Sequence, residues 1–141
     1  MLIAFVINAF LVALAVVLHY EVLYQLASRL PNQQVRPRLR VLTGVFIILF
    51  THIVEIWLFA VAYYFMIHND GFGALSGNID QSLLDCSYYS FTSYTTLGFG
   101  DIVPAGHIRF LTGLESLTGL VLITWSASFL FLEMQRYWPK R

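Results

Sequence analysis

The chain has 141 residues, of which 58% are hydrophobic and only 11% charged, and its formal net charge is zero. A soluble domain carries about a quarter charged residues, so this composition, with a mean hydropathy of +0.71, excludes an ordinary soluble domain and leaves no room for a regulatory one beside an integral membrane protein. The balanced charge suggests no nucleic-acid partner, and the single cysteine, Cys86, closes no intrachain disulfide.

Leu2 to Leu18 is apolar except for Asn8, and the helical pattern continues to about Leu30. That length spans the ~30 Å hydrocarbon core of a bilayer. There is no basic stretch before it, and the apolar pattern runs on through Tyr20, Val22, Leu23 and Leu26, which favours a membrane span over a cleaved signal peptide. Residues 1–30 therefore read as an N-terminal transmembrane helix. No arginine precedes Arg29, so this helix lacks the repeated basic residues of a voltage sensor. Residues 31–40 read as a linker, with Pro31 and Pro37 bracketing a polar, helix-breaking stretch. Val41 to Ile67 is a second span, interrupted by His52 and Glu55, and the Gly- and Asn-rich residues 69–78 read as a loop.

Ser82-x-x-Asp85 is a near capping box, with Asp80 as an alternative cap, and it opens a short helix over Leu83 to about Tyr94. A helix of about a dozen residues cannot cross a bilayer, so it reads as re-entrant. Its C-terminal dipole end would favour a cation. Ile108 to Leu132 is the third span, and residues 137–141 form a tail. Arg29, Arg36, Arg38 and Arg40 lie between spans one and two, and Arg136, Lys140 and Arg141 follow span three, so seven of the eight basic residues fall on one side. The positive-inside rule makes that side cytoplasmic. The expected protein sits in the cell (inner) membrane with its N-terminus outside and its C-terminus inside. Asp70, Asp80, Asp85 and Asp101 then lie on the outer side, where they either concentrate cations or serve only as caps.

Between the short helix and the third span runs Tyr94-Thr95-Thr96-Leu97-Gly98-Phe99-Gly100-Asp101-Ile102-Val103-Pro104. Gly98 and Gly100 permit φ > 0 without a Cβ penalty. A bare Gly-Phe-Gly occurs in many loops, and a glycine-rich outer turn is the plain alternative. Here a Thr pair precedes the triplet, Asp follows it, an aromatic Ser/Thr-bearing segment leads into it and membrane spans flank it. With those features Thr95 to Asp101 resembles the selectivity filter of the potassium channel pore-domain family, as a variant of its TVGYG-D loop. The resemblance covers roughly Val41 to Leu132, within a helix–pore loop–helix module placed at 41–136. Leu97 stands where Val or Ile is usual, and Phe99, where Tyr is usual, lacks a hydroxyl that could bond the scaffold. The first span has no counterpart in the minimal module.

The resemblance implies an all-α membrane protein of three transmembrane helices plus a re-entrant pore helix and filter loop. It implies a homotetramer in the lipid bilayer, since one loop supplies a quarter of a filter. The implied function is passive, selective passage of K+, with no enzymatic activity and no cofactor or metal beyond K+ ions in the filter. Carbonyl oxygens of Thr96, Leu97, Gly98, Phe99 and Gly100 would replace the ion's water, with the Thr96 hydroxyl as the innermost ring and the Leu97 and Phe99 side chains wedged against the support. Tyr88 and Tyr89 take the paired-aromatic positions of the pore helix, and Asp101 would bond Tyr88. Thr92 stands where some relatives carry Glu; Glu115 either takes over part of that role or meets lipid headgroups. Span three would line the cavity below the filter. Val121, Thr124 and Ser128 share one face, suited to a wet cavity or to helix packing. Gly113 and Gly119 allow bending or close packing, with Gly119 near the family's gating hinge. Phe129 and Leu132, further in, suit an apolar constriction.

His52 and Glu55 share a face of span two at i, i+3 spacing. If spans one and two form a hairpin about Val35, His19 lies 16 residues before the turn and His52 17 after it, at similar depth. His19, His52 and Glu55 would then meet between the helices. Such a cluster reads as a polar contact tying span one to span two, as a proton-sensing site, or as a transition-metal site. Two alternatives to the selective channel follow: a weakly selective cation channel, and a metal- or proton-sensing membrane protein or enzyme built on His19, His52 and Glu55.

The charge asymmetry makes a topological prediction. In a Cys86-free background, a cysteine placed near Asn32 should react with an impermeant thiol reagent only from the cytoplasmic side, and one near Ser76 only from outside. Labelling of both from one side contradicts three spans.

Overall fold

Three long apolar runs set the architecture. The structure is a computed structural model that describes residues 2–29 and 36–137. Helix α1 covers Leu2–Arg29, α2 Pro37–Ile67, α3 Leu83–Tyr94 and α4 Ile108–Tyr137; strands β1 (Gly73–Gly77) and β2 (Ile102–Gly106) flank α3 and the loop that follows it. Leu2–Arg29, Arg38–Ile67 and Ile108–Arg136 are long and apolar enough to cross a membrane, and α3 at 12 residues is not.

Two expectations about the connections change. The linker expected over 31–40 gives up its last four residues, because α2 begins at Pro37. Proline opens a helix readily, since an N–H at the first position would have no intrahelical acceptor. Linker residues 31–35 and tail residues 138–141 lie outside the described residues. The stretch expected to be a loop contains β1, which pairs antiparallel with β2 from Gly73 opposite Gly106 to Gly77 opposite Ile102. This pairing joins segments 25 or more residues apart, which a local reading misses. Pro104 is accommodated because a two-stranded ribbon has only edges. Helix α4 also runs past the expected Leu132.

Each spanning helix turns one face inward. On α1 the buried positions are Ala4, Asn8, Ala15, His19, Leu23 and Leu26, a single stripe at helical spacing. Leu2, Ile3, Phe5, Val6, Phe10 and Val17 are exposed on its other sides, as lipid contact requires. The core gathers Phe59 and Tyr63 of α2, Cys86, Tyr89 and Tyr94 of α3, and Ile108, Leu111 and Leu122 of α4. The rings of Tyr63 and Tyr89 meet edge to face at 5.0 Å, a favoured aromatic geometry. The short helix is thus wedged between α2 and α4, and the sheet ribbon packs against the same two helices.

Gly119 sets how closely α4 approaches α3. A Cβ there would lie 2.1 Å from the Tyr94 carbonyl oxygen. Of the two roles open to this glycine, close packing is the one the structure displays. Gly113, by contrast, has open space where a Cβ would go. Gly119→Ala should therefore push α4 off the end of α3 at a cost of roughly 1–3 kcal/mol, while Gly113→Ala should be neutral or mildly stabilising. Thermal melts of the two variants in detergent check the contrast.

Candidate functional site

The site is built outward from α3. Its first turn is closed by a capping box: the Ser82 hydroxyl accepts from the Asp85 N–H at 3.1 Å, and the Asp85 carboxylate accepts from the Ser82 N–H at 3.4 Å and the Asp80 N–H at 3.0 Å. Its last turn is closed by the chain that follows. The N–H groups of Thr95, Thr96 and Gly98 donate to the carbonyls of Phe91, Ser93 and Thr92 at 3.2, 3.0 and 3.0 Å. The loop thereby folds back on the helix end and satisfies carbonyls that would otherwise be orphaned.

The Thr95–Asp101 loop has a backbone that neither helix nor strand can supply. Thr96, Gly98 and Gly100 have φ of 59°, 52° and 80°, whereas Leu97 and Phe99 between them do not have positive φ. Positive φ therefore recurs at every second residue from Thr96 to Gly100, a pattern that neither a regular helix nor a strand contains. Glycine meets this demand at two positions. Thr96 meets it with a side chain in place, a conformation that costs of order 1–3 kcal/mol and tends to occur where function requires it.

Several expected supports are in contact. The Tyr88 hydroxyl donates to the Asp101 carboxylate at 2.8 Å, and the Phe99 ring stacks on Tyr88 with centroids 6.4 Å apart. Leu97 departs from expectation: it is 59% exposed, so it is not wedged against its own subunit. The loop lies at the surface of a single chain, which has no outer wall to receive that side chain. Tyr89 points inward, its hydroxyl 2.8 Å from Thr112 Oγ1. Thr92 is buried and donates to the Tyr89 carbonyl. A cleft of about 300 Å³ between loop and wall is lined by Tyr89, Thr92, Thr96, Gly98, Thr112 and Ser116 among others.

Two buried carboxylates stand behind α3. Glu115 is fully buried, and it is held by the hydroxyls of Tyr63 at 2.5 Å and of Ser90. Its place is therefore against α3 and not among lipid headgroups. Ser90 also bonds the Ile56 carbonyl, so α2, α3 and α4 meet at this acid. Glu55, also fully buried, is the second. His19 Nδ1 lies 2.9 Å from its Oε1 and His52 Nδ1 3.0 Å from its Oε2, so the structure brings His19, His52 and Glu55 together. It adds two partners that the sequence does not announce. The Tyr94 hydroxyl donates to Glu55 Oε2, and Ser126 Oγ lies 3.1 Å from Nε2 of both histidines. Tyr94 is the last residue of α3, so this cluster reaches the foot of the loop. The donor atoms of His19, His52 and Glu55 lie within 4.8 Å of one another, close enough for a metal ion, yet both nitrogens of each imidazole already face hydrogen-bond partners. A lone Tyr or Ser in an aromatic or apolar run is too common to single out by sequence.

Val121, Thr124 and Ser128 fall on an exposed side of α4, where the two hydroxyls bond carbonyls of their own helix. Phe129 is half-buried, and Leu132 is 63% exposed on the same helix. Within one chain these residues face outward.

The chain matches a family model described as "Ion channel" over residues 51–136, more than half its length. It belongs to that family, the pore-domain ion channels, which is not a class of enzymes. It is an integral membrane protein with an ion-channel fold. No curated protein and no solved structure gives a significant match. The match takes in the latter part of α2, α3, the loop and nearly all of α4; α1 lies outside it.

Two surface groups report on the site through pH. Hydrogen bonds from Ser82 and then the Asp80 N–H hold the Asp85 carboxyl below its usual 3.8. Its stabilising charge is therefore present at neutral pH and is lost as pH falls through that lowered value. The bond donated to Asp101 raises the Tyr88 hydroxyl above its usual 10.0; this contact is lost only as pH rises through the raised value. Between these limits the two ends of the site should be insensitive to both groups. Ser82→Ala should cost about 1 kcal/mol at pH 7 and should blunt the loss of stability on acidification, as measured by melts at neutral and acid pH.

Proposed function

We propose that four copies of this chain form a potassium-selective channel, with Thr96, Leu97, Gly98, Phe99 and Gly100 as the ion-binding filter. The observation that carries the reading is the alternating backbone of Thr96 to Gly100. Such an alternation would turn successive carbonyls to one side, as a dehydrating K+ needs in place of water, and a glycine-rich turn has no need of a strained threonine among them. Exposure of Leu97 and Phe99 on a single chain supports assembly, because a membrane protein does not leave an irregular loop against lipid. Neighbouring subunits would cover these side chains. Four loops about one axis would place the Thr96 hydroxyls as the inner ring, and the exposed face of α4 bearing Val121, Thr124 and Ser128 would line the cavity. Phe129 and Leu132 would then narrow the inner mouth. The permeating K+ is the only ion this reading calls for. The protein would lie in the cell membrane, C-terminus inside, with Asp70, Asp80 and Asp101 at the outer entrance. A weakly selective cation pore is the competing outcome, since Leu97 and Phe99 replace the usual filter side chains.

Gly98→Ala puts a Cβ on a left-handed residue, at a cost of roughly 1–2 kcal/mol in every subunit, and should abolish selective flux in liposomes loaded with K+ while leaving the oligomer intact. Thr96→Ala removes one ring of oxygens and should weaken K+ binding at the inner end without loss of assembly. Normal K+ flux through a Gly98→Ala oligomer contradicts the assignment.

A further inference from the structure

Helix α1 lies outside the family match, yet it buries a histidine behind the loop that the proposed function makes a filter. Five polar side chains from all four helices meet there: His19 on α1, His52 and Glu55 on α2, Tyr94 on α3 and Ser126 on α4. His19 is 1% exposed and Glu55 fully buried. Trp125 covers His19 from α4, with ring centroids 5.6 Å apart. The titratable groups facing the carboxylate are thus the two histidines and Tyr94. Glu115 on α4 is the next acid along the same wall, held separately by Tyr63 and Ser90.

The contacts determine how many protons the cluster holds. Three groups converge on the Glu55 carboxylate: His19 Nδ1 on one oxygen, His52 Nδ1 and the Tyr94 hydroxyl on the other. An ionised carboxylate only accepts, and the Tyr94 hydroxyl, which also lies 2.9 Å from His52 Nδ1, spends its one proton on Glu55, so with Glu55 ionised each of these three carries a proton toward it. That commits Nδ1 of both histidines as donors and leaves both Nε2 atoms facing Ser126 Oγ, each at 3.1 Å. A hydroxyl has one proton and can donate to only one of them. The other Nε2 must donate to the hydroxyl, which makes that imidazole doubly protonated. His19, His52 and Glu55 together then hold three protons, one more than two neutral imidazoles and a carboxylate carry. The cluster has zero net charge, the state in which burial costs least.

We propose that α1 serves the pore by supplying His19 as a positioning residue, which completes a three-proton ring that locks Glu55 onto Tyr94 and so holds the foot of the filter. This rests on reading residues 96–100 as the filter. Without the third proton, one Nε2 lone pair would face the Ser126 oxygen and a net negative charge would sit in the interior. His19→Ala removes a donor from Glu55. His19→Asn restores an amide N–H near the place of Nδ1 but makes no bond to Ser126; Ser126 can then donate to a neutral His52, and no third proton is needed.

Two measurements on the full chain in liposomes test this. Solid-state ¹⁵N spectra of histidine-labelled protein, in a His68→Gln, His107→Gln background, should show one of the two remaining imidazoles doubly protonated at neutral pH and the other protonated at Nδ1 alone. K+ against Na+ flux should lose selectivity several-fold in His19→Ala relative to the wild type and should recover it in His19→Asn. Two neutral imidazoles at neutral pH overturn the proposal. So does one bound transition-metal ion per subunit by elemental analysis, a His19→Ala protein that behaves as wild type, or a His19→Asn protein as impaired as His19→Ala. If the wild type passes Na+ as readily as K+, the potassium reading fails, while the nitrogen spectra still decide the proton count.

Discussion

An irregular stretch of backbone at membrane depth must have every polar group satisfied by protein or by water in a pore, and the rest of this structure answers that constraint. The Thr95–Asp101 loop cannot bond as a helix or a sheet. It is instead pinned at one end by the last turn of α3 and at the other by the Tyr88–Asp101 contact and the β1–β2 ribbon. The pinning is only as rigid as the wall behind it. That wall is polar where a membrane protein is usually apolar: Glu115 and Glu55 are each buried and each met by hydroxyl donors from α3 or α2. Removing the partners of either acid would leave a buried polar group unsatisfied, which typically costs about 1–3 kcal/mol.

This arrangement explains the packing of the long helices. Helix α2 carries both a partner for each acid and the apolar surface of Phe59 and Ile56 against α3. Helix α4 approaches α3 at Gly119, where only a hydrogen atom fits, and lends Ser126 and Glu115 to the two clusters. Helix α1 stands apart from the family module but touches it through a narrow, mostly apolar stripe that also carries Asn8 and His19. A helix held to its neighbours by such a stripe needs a specific polar contact to fix its rotation, and His19 on Glu55 provides one.

Much of this was legible in the sequence, and the parts that were not share a physical cause. The bounds of α3 follow from Ser82-x-x-Asp85 at one end and the loop motif at the other, because capping is local chemistry. The juxtaposition of His19 with His52 follows from helix rise and their near-equal distances from Val35 in sequence, because depth in two antiparallel helices is arithmetic. Strand β1 was read as loop because its partner lies beyond the Thr95–Asp101 loop in sequence, and register across such a gap is set by tertiary packing. Tyr94 and Ser126 were missed for a similar reason. Nothing in a run such as Ser93-Tyr94-Thr95 or Trp125-Ser126-Ala127 says which side chain will reach a carboxylate on another helix. The left-handed Thr96 is a third case, since threonine has no preference for that conformation.

The central claim is that the alternating backbone of residues 96–100 dehydrates and selects potassium. The most direct test is the reversal potential of the purified wild-type protein in a planar bilayer with K+ on one side and Na+ on the other. The account predicts a reversal potential close to that of a membrane permeable to K+ alone. A reversal potential near zero, with current carried equally by both ions, would contradict it.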